Sequence, residues 1–210
     1  AFALARSHVD SVTQGRPLVP YSDRLSVRMG SAFKGTYFVE PGMGRPLLRI
    51  RDLRTFESQI WTTEERKDEV SIRPGDIVVG MDAEFRATLW LGRESLLNQR
   101  VCSFVGHRGV ARAFVLAALE PELAFQESAK TGTTVIHLNK GDIERFKIPA
   151  LSDSEHAALF QVTEPLLDVV VARAAESRAL QQLRDALLPE LLSGRIRVPE
   201  AAAVVQDGTE

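Results

Sequence analysis

The stretch SDSEHAALFQVTEPLLDVVVARAAESRALQQLRDALLPELLSG, residues 152–194, decides the architecture. Ser152 and Glu155 stand three apart at its head, the spacing of a capping box, in which a hydroxyl and a carboxylate satisfy each other's free backbone amides. Leu159, Val162, Leu166, Val169, Leu180, Leu183 and Leu187 then follow one apolar heptad register, interrupted in the middle by Arg173 and Glu176. Pro165 either kinks or restarts the helix, Pro189 falls near its end, and Gly194 is a natural stop. A helix of about 35–40 residues reaches roughly 50–60 Å at 1.5 Å per residue, more than one small domain needs. The excess length and the apolar stripe predict a spacer or docking helix over residues 151–195, with a flexible tail over 196–210. A heptad pattern does not name its partner: the domain's own sheet, a second copy and another protein all remain open.

Ahead of the helix the grammar is different. From Leu25 to about residue 150 short apolar segments alternate with turn residues: PLLRIRDL, DIVVGM, TLWL, RVCSFV and TVIHL. Such runs read as strands. In SIRPGDIVVG (71–80) the pair Pro74-Gly75 makes a turn, Asp76 opens a β-branched run and Gly80 closes it. Residues 110–128 carry Ala and Leu at helical spacing around Pro121, which predicts one or two short helices. Residues 1–24, with Gly15, Pro17 and Pro20 and no initiating Met, read as a lead-in or linker with a trimmed start. The fold class is therefore α/β in the broad, α+β sense: a β-rich domain over 25–150 followed by a long coiled-coil-forming helix.

The chain has 210 residues, 44% hydrophobic and 26% charged, an ordinary globular composition. No apolar stretch approaches the length of a bilayer span and no signal-peptide pattern opens the chain, so a cytoplasmic location is expected. Cys102 stands alone and reads as a small buried hydrophobe. His8, His107, His137 and His156 lack ligand spacing, so no metal site is expected. A net charge of −2 lacks the basic excess that most direct readers of nucleic acid carry and counts against DNA binding. The charges are segregated, however. Acids crowd 64–69, 153–164 and the tail, while Arg45, Arg49, Arg51, Arg54, Arg86, Arg93 and Arg100 occupy the first half, leaving room for a local basic face.

LLRIRDL (47–53), RPGDIVVGMDAEF (73–85), LLNQRVCSF (96–104), GTTVIHLNKGDIERFKIP (132–149) and LRDALLPELLSGRIRV (183–198), in that order and spacing, resemble the specificity subunits of type I restriction-modification systems. The resemblance runs over roughly residues 23–200. It implies a target-recognition domain followed by a spacer helix, the pattern occurring twice in a complete subunit, with the two helices paired antiparallel and each globule reading half of a split DNA sequence. Here one half is present, so the chain is expected either to dimerise or to be the second half of a longer subunit. The resemblance further implies a non-catalytic partner of DNA methyltransferase subunits and of a restriction and motor subunit. S-adenosylmethionine, magnesium and ATP would then sit on those partners. Consistently, the chain carries no Asn-Pro-Pro-Tyr type tetrad, no glycine-rich cofactor loop after a strand and no P-loop.

A duplex reader needs side chains matching base edges and phosphates, chiefly Arg, Lys, Asn and Gln. Asn98, Gln99 and Arg100 offer these together, although a turn before a strand would explain them equally. Arg86 and Arg93 flank the TLWL strand, whose Trp90 reads as core. Lys34 lies in a small-residue loop with Gly35. Lys130, Thr131 and Thr133 surround Gly132, where close approach to a phosphodiester is allowed. His137 is expected to take a structural hydrogen bond. Asp76, Asp82 and Glu84 raise the alternative of a metal-dependent nuclease, but Phe85 and Arg86 follow Glu84 where a lysine is usual. No serine has a His and Asp arrangement that would support a hydrolase. From a different class, a non-catalytic interaction adaptor with a coiled-coil arm fits the acidic balance.

Overall fold

A computed structural model of the chain describes residues 1–129 and 136–197. Two units are resolved, Ala1–Val171 and Ala172–Glu210. The first is built on a four-stranded antiparallel sheet in the order β2 (Leu25–Met29), β10 (Val101–Gly106), β7 (Ile77–Gly80), β8 (Ala87–Leu89). The run IVVG is buried throughout because both faces of β7 are covered. Alternation splits the strands: Ile77, Val79, Cys102 and Phe104 face the main core with helix α2 (Arg112–Ala129), whereas Val78 and Val101 join Leu48, Ile72, Trp90 and Leu97 on the other side.

That other side belongs to a five-stranded sheet, ordered β3 (Phe38–Val39), β5 (Ile60–Thr62), β4 (Arg45–Leu48), β9 (Ser95–Leu97), β6 (Ser71–Ile72). It is antiparallel except where β4 runs parallel to β9, with Leu47 opposite Leu96. Trp90 is fully buried and its Nε1 donates to the Arg93 carbonyl at 2.8 Å, the partner a buried indole needs.

Three sequence expectations are corrected. Residues 1–24 are not a linker. They form α1 (Phe2–Thr13), whose Ala5 and Val9 are buried in the main core, and β1 (Leu18–Pro20), which pairs with β11 (Lys147–Pro149). Tyr21 then packs edge-on against Phe104 and Phe146. The glycine and prolines that suggest a linker instead end α1 and shape an edge strand. Residues 112–129 make one helix of 18 residues that runs through Pro121, where one or two short helices are predicted. Its buried face carries Ala113, Ala117 and Ala118 beside Phe114 and Leu119, which lets it lie close on the sheet. Between α2 and β11 a single helical turn, α3 (Lys140–Ile143), is closed by Asn139 and Asp142, each capping the other's amide.

The long helix α4 spans Asp153–Leu192, 40 residues, and is continuous through Pro165 and Pro189. Its capping box forms as the spacing predicts: Ser152 N–H donates to Glu155 at 2.8 Å and Glu155 N–H to the Ser152 hydroxyl at 3.3 Å. Within the first unit it docks through His156, Leu159, Thr163 and Leu167. This is the third correction. Leu159, placed by sequence on the partner stripe, is buried in the chain's own core, and Leu166 packs partly against it. Val162 and Val169 of the same heptads stay exposed. In the second unit Leu180 is exposed, while Leu183 and Leu187 are half-buried. The helix closes on Gly194 at φ +71°, with the Arg195 amide reaching back to the Glu190 carbonyl, the pattern a left-handed glycine permits. Among the described residues no helix is long and apolar enough to cross a membrane.

Candidate nucleic-acid interface

Strand register brings several loops to one edge of the first unit. Gly80, which ends β7, lies opposite Val101, which begins β10; Ala87, which begins β8, lies opposite Val79. Leu48, at the end of β4, pairs with Leu97, at the end of β9. The segments Arg49–Arg54, Met81–Arg86 and Asn98–Arg100 therefore gather together. The bonds between them are direct: Met81 N–H donates to the Arg100 carbonyl, Asn98 N–H to the Leu48 carbonyl, and Leu53 and Ile50 lie against Gly80.

Each segment is stiffened from beneath. Asn98 opens a turn in which Val101 N–H donates to the Asn98 carbonyl at 2.9 Å, and its own side chain takes the Gln99 amide. Gly30 is pressed on this turn so closely that a Cβ would stand 2.1 Å from the Asn98 carbonyl oxygen. Asn98 thus serves the backbone, while Gln99 and Arg100 project from the tip into solvent. Under Arg51 and Arg54, the fully buried Asp52 carboxylate takes the Arg49 amide at 3.0 Å and holds a 3-10 turn over Ile50–Leu53. In the third segment Phe85 is buried and Ala83 adopts φ +64°. Among the described residues the only other non-glycine residue with positive φ is Phe56, two positions after Arg54. Such backbone geometry costs energy and collects at functional loops.

Carboxylates space the cations on this edge. Glu84 receives Arg54 at 2.8 Å and Arg86 at 2.9 Å, and Asp82 lies between Arg100 at 3.6 Å and the Nδ1 of His137. The hydrogen bond from Arg54 and then the charge of Arg86 hold the Glu84 carboxyl below its ordinary range. Arg51, Arg54, Arg86 and Arg100 remain exposed, with forks that can engage a phosphate or the O6 and N7 of guanine. Asp82 and His137 also share a β-bridge, so residues 136–138 border the same edge.

Of the residues singled out by sequence, Arg86, Gln99 and Arg100 converge here, and Asn98 supports them. Lys34 and Arg93 do not. The Lys34 amide is held by Glu64 at 2.7 Å, and Arg93, at the opposite end of β9, covers the Trp61 ring at 5.6 Å. Lys130, Thr131 and Thr133 lie outside the described residues. Arg51 and Arg54 are visible in the sequence only as part of an arginine-rich half; their place on the edge depends on the buried Asp52, which sequence does not reveal. The acidic run 64–69 is consumed locally, because Glu69 pairs with Arg45, and Glu64 and Asp68 with Arg66. The nuclease reading fails on placement: Asp76, at the start of β7, takes the Arg73 amide and pairs with Arg28, while Asp82 and Glu84 follow the far end of that strand.

No family model matches the chain. It is 28% identical over 176 residues to the type I restriction enzyme EcoBI specificity subunit of Escherichia coli, a match covering 81% of this chain and 37% of that protein. The fold resembles the HsdS subunit from Thermoanaerobacter tengcongensis, with a TM-score of 0.53 at 17% identity over 90% of this chain and 49% of that one. It also resembles the type I restriction-modification S subunit from M. genitalium, with a TM-score of 0.55 at 14% identity over 86% and 47%. The chain spans well under half the length of the first of these proteins and about half of each of the others. In sequence and in fold, the chain is similar to the specificity subunits of type I restriction enzymes, over no more than about half of their length.

Proposed function

We propose that the chain is the DNA-reading half of a type I restriction-modification specificity subunit, contacting one half-site of a split target through the arginine-lined edge. The convergence of four exposed arginines and Gln99 on one braced strand edge carries this reading. Phosphate contacts from Arg51 and Arg54 would set register, and Gln99, Arg86 and Arg100 would meet base edges. The exposed positions Val162, Val169 and Leu180, with Leu183 and Leu187, would pair with a matching helix, from a second copy or from the other half of the same subunit. Methyltransferase subunits and a restriction and motor subunit would assemble around this frame in the cytoplasm. They would carry S-adenosylmethionine, magnesium and ATP, and this chain would do no chemistry.

The deciding experiment mixes the chain with its cognate methylating subunits and measures complex mass together with protection of specific duplexes. A discrete complex protecting a defined site supports the proposal, and a symmetric site adds that two copies act together. Self-association without duplex protection overturns it in favour of an interaction adaptor.

A further inference from the structure

Beyond its first turn, α4 is tied to the rest of the first unit by directional bonds at one residue among those described. Arg112 opens α2. Its backbone N–H donates to Glu164 Oε1 at 2.5 Å, its Nε to Glu164 Oε2 at 2.6 Å, and its Nη2 to Asp168. One carboxylate of α4 therefore supplies an acceptor for an amide of α2 that has none within its own helix, and also takes a prong of the guanidinium. Glu164 and Asp168 lie one turn apart, so the fork spans a full turn of α4. The same guanidinium abuts the turn that feeds β7: a Cβ on Gly75, which has φ +95°, would stand 2.6 Å from Arg112 Nη1. The far end of β7 runs into Met81–Arg86.

The other ties bring the helix no directional side-chain bond to β7 or to the turn that feeds it. Arg16 with Glu155 and Arg24 with Asp153 act on the first turn. Thr163 returns its hydroxyl to its own helix, at the Leu159 carbonyl. Leu159 and Leu167, with Leu166, Val170 and Val171 packed partly against the same core, choose the buried face and resist roll and slide through packing without a directional bond. A guanidinium shared by two carboxylates fixes both.

We propose that Arg112 is a positioning residue that locks the first five turns of α4, residues 153–171, to strand β7. It thereby sets the register between the arginine-lined edge and the exposed Val162 and Val169 on the helix. The functional part of this inference rests on the duplex-reading role proposed above.

The test uses the full chain and amide exchange, comparing residues 160–171 with β7 and β10 in the same sample. In Arg112→Gln the backbone amide can still donate to Glu164, so α2 keeps its cap. Exchange in 160–171 should rise at least tenfold while β7 and β10 stay unchanged. Arg112→Lys, which keeps the charge without the fork, should recover part of the protection. Equal acceleration of helix and sheet, or none, overturns the proposal. With partner subunits present, Arg112→Gln should lose at least tenfold of the preference for one half-site spacing, with single half-site affinity kept within twofold; an intact spacing preference also overturns it. If the wild-type chain shows no duplex preference, the DNA-reading role falls, and the exchange comparison still decides the role of Arg112.

Discussion

At the scale of single residues, the edge makes a graded prediction. Arg54→Ala should weaken binding about equally across sequences and reduce the slope of log affinity against log salt by about one, whereas Arg86→Ala and Arg100→Ala should weaken binding to the cognate duplex and relax the preference for it. Arg93→Ala should leave binding unchanged, because that guanidinium is spent on Trp61. Fluorescence anisotropy at several salt concentrations separates these outcomes. His156 makes a prediction of another kind. It is buried edge-on against Phe114 at 4.8 Å, with neither ring nitrogen hydrogen-bonded. Burial first, and the charge of Arg24 second, push its pKa down. The unfolded chain then takes up the proton near pH 6.5 and the folded chain only at lower pH. Stability should be complete above about pH 6.5 and fall as pH drops through that window. His156→Phe should flatten the loss between pH 7.5 and 5.5 in urea titrations.

At the scale of elements, the turn holding Gln99 and Arg100 depends on what lies beneath it. Gly30→Ala drives a methyl group into the Asn98 carbonyl and should cost about 2–4 kcal/mol of stability by denaturant unfolding, since backbone rather than a pliable side chain must give way. On α4 the outcome should be the opposite. Leu180→Asp with Leu183→Asp should abolish helix pairing or partner docking, seen as a fall in mass by light scattering, while the thermal transition of the β-rich unit is unchanged. Unaltered assembly would remove the stripe from the interface.

At the scale of the whole molecule, legibility in the sequence follows the range of the forces involved. The capping box at Ser152 and Glu155, the β7 run and the closure at Gly194 are local, and each is readable from residues a few positions apart. Residues 1–24 mislead because the burial of Ala5 and Val9 is settled by α2, more than a hundred residues away. The edge is half legible. Arg86, Gln99 and Arg100 declare themselves by type, but Arg54 is recruited through Glu84, and Asn98 is withdrawn into the backbone by Gly30. The net charge of −2 likewise says little about any one surface: Glu69 pairs with Arg45, and Glu64 and Asp68 with Arg66, while Arg51, Arg54, Arg86 and Arg100 stay exposed. Cys102, finally, has a practical consequence. Its thiol is fully buried and burial pushes its pKa up to about 12, so the folded chain offers no thiolate to an electrophile. A maleimide probe placed on an engineered surface cysteine will therefore mark that position alone, and the native protein can be labelled at any chosen site without first deleting its own sulfur.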